Sequence, residues 1–400
     1  MSRILFAWEL GGGYGHIAGF LPVALSLRER GHEVIFALKD VSHAAAILGA
    51  HRFPYVQAPI WLPKLVGVPE PVSYAEILFR FGYLSASGLT GLFEAWRRLF
   101  EWTKPGLMVA DHSPTALLAS RGMGMPRAMI GNGFFSPPRT NPLPSMRPML
   151  KVPQARLADS ERRVLEVANS VLAGARAPQL PMLADLFDVE ENFLCTFPEL
   201  DHYPGRGGGK YWGPRFSLEE GAAIVWPEGG GKKIFAYLKP GYLHFEKILQ
   251  ALADLPARTV IHAPGLPESL LSQYQRPHMK FYRQPVRMKQ AAEECDLAVC
   301  HGGAGTVSAM LLAGRPILLL PMHLEQHLLA CRAAELGAAL MVDQDNADPN
   351  YAELLGRLLV DPAYSRQAQA FAEGHADFDQ REQSERIARR CEELIRNESV

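Results

Sequence analysis

The chain has 400 residues, 48% hydrophobic and 21% charged, which excludes wholesale disorder and, at roughly 150 residues per domain, predicts two or three domains. Its 41 Lys and Arg against 42 Asp and Glu leave a net charge of -1, without the basic excess that a phosphate backbone demands, so nucleic acid is not an expected partner. Five scattered cysteines, Cys195, Cys295, Cys300, Cys331 and Cys391, contain no CxxC pair; they argue against a disulfide framework and fit a reducing cytoplasm.

The first strand is predicted at Arg3 to Trp8, followed by the turn Gly11-Gly-Gly-Tyr-Gly15 and a helical pattern through Leu21, Ala24, Leu25 and Leu27. Gly31 stops that helix and Glu33 to Leu38 supplies a second strand, completing a right-handed βαβ unit. Ile4 to Trp8 is too short before Glu9 for a signal-peptide core, and no apolar run reaches the roughly 18 residues of a membrane span. Residues 60 to 102 carry Trp61, Phe79, Phe81, Tyr83, Phe93, Trp96, Phe100 and Trp102; helical core is the favoured reading, with peripheral membrane contact left open. Gly106 to Asp111 reads as a buried strand ending in an acid.

The glycine-rich stretch 204–232 reads as a linker between a first domain, 1–203, and a second, 233–380. The second repeats the grammar, with strands at Lys233 to Leu238, Thr259 to His262, 279–283, Leu297 to Cys300 and Ile317 to Leu320, and a helix near 242–254. Residues 381–400 read as a solvated closing helix. The fold class is α/β, two doubly wound parallel sheets.

The strongest chemical signal is Cys300-His301-Gly302-Gly303-Ala304-Gly305-Thr306, between a buried strand and a helix. A glycine turn lets backbone N–H groups and the positive helix end approach a phosphate. Thr306 adds a hydroxyl donor and His301 an imidazole donor, suited to a diphosphate whose charge grows as a bond to it breaks. The plain alternative is a turn with a satisfied His and a capping Thr. In the first domain, His16 opens a helix and Asp111 ends a strand, both at the sheet edge where open α/β folds bind ligands. An Asp accepting from one imidazole nitrogen would leave the other to take a proton from a hydroxyl. The same Asp could instead cap the next helix through Ser113 or Thr115, and His112 reads as a bystander.

Glu325 and Gln326 form a pair suited to adjacent sugar hydroxyls, or simply the polar first turn of a helix. His323 and His327 lack a third metal ligand, Asp343-Gln-Asp345 reads as a surface loop, and no metal is predicted. Gly13-Tyr-Gly15-His-Ile-Ala18 with Asp40 satisfies a dinucleotide fingerprint and keeps an NAD(P) oxidoreductase as a rival.

Taken together, Gly15-His16, Arg30-Gly-His-Glu-Val34, Asp111 with Gly124-Met-Pro126, Pro198-Glu-Leu-Asp201, Tyr211-Trp-Gly-Pro214, His301 to Thr306, Gly314-Arg-Pro316, Pro321 and Glu325-Gln326 resemble the family 1 nucleotide-sugar glycosyltransferases of the GT-B fold, a group that includes antibiotic-tailoring enzymes. The resemblance spans nearly the whole chain. It implies two Rossmann-like domains facing a cleft, the first taking the acceptor and the second a nucleotide sugar; the aromatic-rich 60–102 region and the loop Gly131-Asn-Gly-Phe-Phe135 suggest that the small-molecule acceptor is apolar or lipid-like. His16 then matches the catalytic base and Asp111 its orienting partner. His301, Gly302, Gly303, Gly305 and Thr306 match the diphosphate site, Glu325 and Gln326 the sugar contacts, and Gln284-Pro285-Val286 the nucleobase loop. Transfer with inversion and without a metal or other cofactor follows from the family. Ala309 stands where many members carry a ribose-binding Glu, which favours a dTDP-sugar without excluding UDP, and the opening loop is unusually rich in glycine. A non-catalytic partner protein built on the same fold is the third reading.

Overall fold

In the computed structural model, residues 1–13, 15–343 and 345–397 are described; Tyr14 and Gln344, of the sequence motifs Gly11-Gly-Gly-Tyr-Gly15 and Asp343-Gln-Asp345, and residues 398–400, into which the sequence predicts the closing helix to extend, lie outside them. The chain forms two compact units: residues 1–196, 203–217 and 379–400, and residues 197–202 and 218–378.

The first unit holds six parallel strands, β1 (Arg3–Trp8), β2 (Glu33–Leu38), β3 (Tyr55–Gln57), β4 (Leu107–Asp111), β5 (Arg127–Gly131) and β6 (Glu191–Leu194), in the order β3-β2-β1-β4-β5-β6. The second repeats this with β7 (Lys233–Tyr237), β8 (Arg258–His262), β9 (Met279–Tyr282), β10 (Leu297–Cys300), β11 (Ile317–Leu319) and β12 (Ala339–Met341), ordered β12-β11-β10-β7-β8-β9. Both are the doubly wound order, whose direction of travel reverses between β1 and β4 and between β7 and β10. At such a reversal the loops leaving the two strand ends part and open a crevice.

The central strands are apolar throughout because helices cover both faces of each sheet. In β1, every residue from Ile4 to Trp8 is at most 1% exposed. Phe6 packs against Phe20 and Phe36, with ring centroids 4.9 and 5.4 Å away. The aromatic stretch folds largely as helical core: the helices Tyr74–Phe79 and Ala86–Thr103 bury Phe79, Phe93, Trp96 and Phe100, whereas Trp102 is 70% exposed.

The stretch read as a linker is divided. Residues 203–217 pack with the first unit, where Tyr211 bridges to Leu194, and from 218 onward the chain packs with the second, where Ala222 bridges to Val286. The closing helix Gln380–Asn397 is not a solvated appendage. It packs on the first unit, burying Ile387, Ala388 and Cys391, joining Glu392 to Arg30 and His32 at 3.1 Å and Arg390 to Glu191 at 2.6 Å. Gln383 donates to the carbonyls of Trp212, Gly213 and Pro214, and so fixes the segment just before Arg215.

Candidate active site

In the first unit, parallel pairing sets Trp8 of β1 beside Asp111 of β4, so the loops after both strands start level. The Leu10 N–H donates to the His112 carbonyl at 2.9 Å and ties those loops together. His16 is the second residue of the helix Gly15–Glu29, and its Nδ1 lies 3.0 Å from Oδ2 of Asp111, itself 1% exposed. The ring stacks on Trp8 at a centroid distance of 4.8 Å and 16°. With Nδ1–H donating to the carboxylate, Nε2 is the basic nitrogen, and the chain leaves room for it through Gly11. That residue sits at φ 84°, and a Cβ there would stand 2.8 Å from Nε2.

Asp111 has a second partner: Nη2 of Arg215 donates to the same Oδ2 at 2.9 Å. Burial alone would raise the Asp111 pKa, but the neighbouring His16 and Arg215 outweigh it and hold the carboxyl well below the usual range. Asp111 is therefore a carboxylate that orients an imidazole and not a helix cap. The cap of the helix Pro114–Ala119 is Glu9, whose Oε2 accepts from the Thr115 N–H at 2.8 Å. Glu9 is 1% exposed, and burial pushes it up to about 7, the bonds from Thr115 and Ala116 and the nearby Lys39 opposing. Asp40 of the dinucleotide fingerprint is exposed and accepts from the Ser42 N–H of its own loop at 2.8 Å.

In the second unit, β10 runs into His301 and Gly302, and the helix Ala304–Leu312 begins after the Gly303 cap. Gly302 has φ 81°, and a Cβ there would meet the Gln326 carbonyl at 3.0 Å, so only glycine lets this turn close onto the next helix. The N–H groups of Ala304, Gly305 and Thr306 fall in the first turn, where the helix supplies no acceptor, and Thr306 is half-buried. His301 departs from the donor role expected of it. Its Nδ1–H donates to the Leu320 carbonyl at 2.8 Å and its Nε2 accepts from the Lys239 N–H at 2.8 Å. Burial pushes its pKa down to about 4, so the ring is neutral and has no proton to turn toward a phosphate. It clasps the loop after β7 to the end of β11 and shapes the turn.

Glu325 and Gln326 sit in the first turn of the helix Leu324–Glu335. Gln326 Oε1 accepts from the Met322 N–H at 2.9 Å, which leaves the amide NH2 as the part suited to a ligand. In the expected nucleobase loop Gln284 and Pro285 are exposed, but the Val286 side chain belongs to the hydrophobic core and cannot face a base. The Ala222 N–H donates to the Pro285 carbonyl at 2.9 Å, so the chain from 221 lies along this loop. Among the described residues no three His, Cys, Asp or Glu side chains converge as metal ligands, and no helix is long and apolar enough to cross a membrane.

The two six-strand parallel sheets with flanking helices match the GT-B fold, and the relatives and family model that match the chain make it a glycosyltransferase. Its likeness runs to the family 1 nucleotide-sugar enzymes: residues 246–394 match the model for the erythromycin biosynthesis protein CIII-like, C-terminal domain. The UDP-N-acetylglucosamine--N-acetylmuramyl-(pentapeptide) pyrophosphoryl-undecaprenol N-acetylglucosamine transferase of Agrobacterium fabrum is 25% identical over 393 residues, covering 94% of this chain and 92% of its own length. The glycotransferase of kitacinnamycin superposes with a TM-score of 0.71 at 19% identity, covering 98% of this chain and 99% of that one. The glycosyltransferase VinC, solved in complex with DTDP, gives 0.66 at 16% identity over 99% of this chain and 100% of its own.

Proposed function

We propose that the protein is an inverting glycosyltransferase that moves a sugar from a UDP- or dTDP-sugar to a hydroxyl of an apolar or lipid-like acceptor without a bound metal. The observation that carries this reading is the His16–Asp111 pair with Nε2 held at an opening kept by Gly11. Nε2 takes the proton of the acceptor hydroxyl, the oxygen forms its bond to the anomeric carbon on the face opposite the diphosphate, and the nucleoside diphosphate leaves with the electron pair of the broken C–O bond. Asp111, kept ionised, stabilises the imidazolium that results. Charge growing on the diphosphate is met by the first-turn N–H groups of Ala304, Gly305 and Thr306, a neutralisation that asks nothing of a metal. Gln326 through its amide NH2, together with Glu325, serves the sugar, and Gln284 and Pro285 line the base.

Ala309 in place of a ribose-binding acid, together with a DTDP complex in a structural neighbour, favours dTDP. An apolar acceptor is supported by the recess among Trp61, Pro63, Leu65, Phe79 and Leu84, by exposed Leu62 and Val66, and by a curated relative named for an undecaprenol-linked substrate.

The test is His16→Ala, assayed for nucleotide release and for binding. Transfer falls by about 10³-fold, while UDP or dTDP at about a hundred times its dissociation constant still adds about 2.7 kcal/mol of stability. Near-full turnover by this variant overturns the assignment, and a rate abolished by EDTA overturns the metal-free form of it.

A further inference from the structure

The dyad leaves a neighbouring imidazole without a task. His112 follows Asp111 directly, with its backbone at φ 44°, in the left-handed region that costs a β-carbon residue strain. The residue is 8% exposed, and no protein group bonds either of its buried ring nitrogens, Nδ1 and Nε2. Burial first, then the neighbouring His16, hold the ring neutral against the pull of Asp111, with Lys39 acting in the same direction as His16. A neutral imidazole has one donor and one acceptor, and here the protein satisfies neither. Strained backbone and unmet polar atoms in one residue beside a reacting group are features that packing alone does not explain.

The geometry gives those nitrogens a direction. The place a Gly11 Cβ would occupy lies 2.8 Å from His16 Nε2 and 3.5 Å from His112 Nδ1, so both imidazoles present a nitrogen to one small region beside Gly11. Phe135 lies flat on the His112 ring, 3.7 Å between centroids at 16°, and tilts toward His16 at 5.9 Å. That stack fixes the plane of the imidazole. His112 also lines a recess with Tyr74, Ser113, Phe135 and Asn192.

We propose that His112 is an acceptor-binding residue, whose imidazole bonds a second oxygen of the acceptor on the carbon next to the hydroxyl that His16 deprotonates. The enzyme then selects vicinal diols, aliphatic or aromatic, over acceptors with an isolated hydroxyl. This rests on His16 as the base. A site built to bond a hydroxyl rejects the analogue lacking it because its own polar groups then stay unpaired.

The experiment compares 2,3-dihydroxynaphthalene with 2-naphthol as acceptor probes at saturating donor, in the wild type, His112→Asn and His112→Gly. Asn and Gly both accept the left-handed backbone, so the fold is kept while the imidazole is lost. The wild type prefers the diol in kcat/KM by about tenfold or more, and both variants lose that preference through a higher KM for the diol, with turnover of 2-naphthol little changed. A wild type indifferent to the second oxygen, or variants that keep the preference, overturns the proposal and assigns the imidazole to an ordered water. His16→Ala run on the same pair separates the two readings. If it still transfers, the base assignment has failed; if it loses transfer to both probes while His112→Asn leaves the diol preference intact, only the present proposal has.

Discussion

The two units share a strand order and each sets a histidine at or just before the start of the helix that follows a central strand, yet the two histidines are used in opposite ways. His16 gives one nitrogen to a buried carboxylate and keeps the other open, whereas His301 spends both nitrogens on backbone groups of its own unit. The residue type does not set the role; the partner does. The first unit gathers ionisable side chains, Asp111, Arg215 and Glu9, around its strand ends, while the second offers backbone N–H groups on a glycine turn.

The largest effect that breaks this contrast is Asp111→Asn, which removes the carboxylate but keeps the shape. Turnover falls by about 10³-fold or more, with nucleotide protection in thermal unfolding unchanged. Arg215→Met leaves Asp111 buried with a single partner, and chemical denaturation should show a loss of about 3 kcal/mol.

Acid sharpens the contrast next. His301, lowered to about 4, binds its proton more weakly folded than unfolded, so its stabilisation is complete above about 6.5 and is lost as pH falls toward 4, about 3 kcal/mol in all. His262 and His323, lowered mainly by burial, act in the same direction. In the first unit His112 does likewise, but Glu9, raised to about 7, is destabilising when ionised and recovers stability as pH falls from about 7 to 4.5. Asp111, being lowered, withdraws its contribution only below about 4. Hydrogen exchange at pH 5 against pH 7 should therefore show β7, β8, β10 and β11 losing more protection than β1, β4 and β5. Glu9→Gln should remove the first unit's compensation. Gly302→Ala is the smallest, about 1 to 2 kcal/mol from the positive φ and the 3.0 Å approach to Gln326, read as roughly tenfold weaker nucleotide binding with the acceptor KM unchanged.

Much of this was legible in the residues, because strands and turns are written locally. β1, β2, β4 and β10 fall on short apolar runs, and His16 and Asp111 meet because one follows and the other ends a strand at the same sheet edge. Arg215 was not legible: it lies 104 residues from Asp111, in a glycine-rich stretch whose composition reads as a linker. Its only sign was the junction motif Tyr211-Trp-Gly-Pro214 immediately before it. The closure of His301 depends on a carbonyl at 320 and an N–H at 239, backbone groups that no side-chain pattern announces. Val286 faces inward for a similar reason, since which side of a loop is covered depends on a segment some sixty residues earlier.

The clasp from Gln383 to residues 212–214 has a consequence for the order of assembly. As the chain emerges from the ribosome, everything belonging to the second unit is available before the closing helix, on which the first unit still depends. The stretch that delivers Arg215 to Asp111 is held by a side chain made after the whole second unit. The turn after β10 can therefore form ahead of the Arg215–Asp111 contact, and the His16–Asp111 pair acquires its full set of partners only once the closing helix is made.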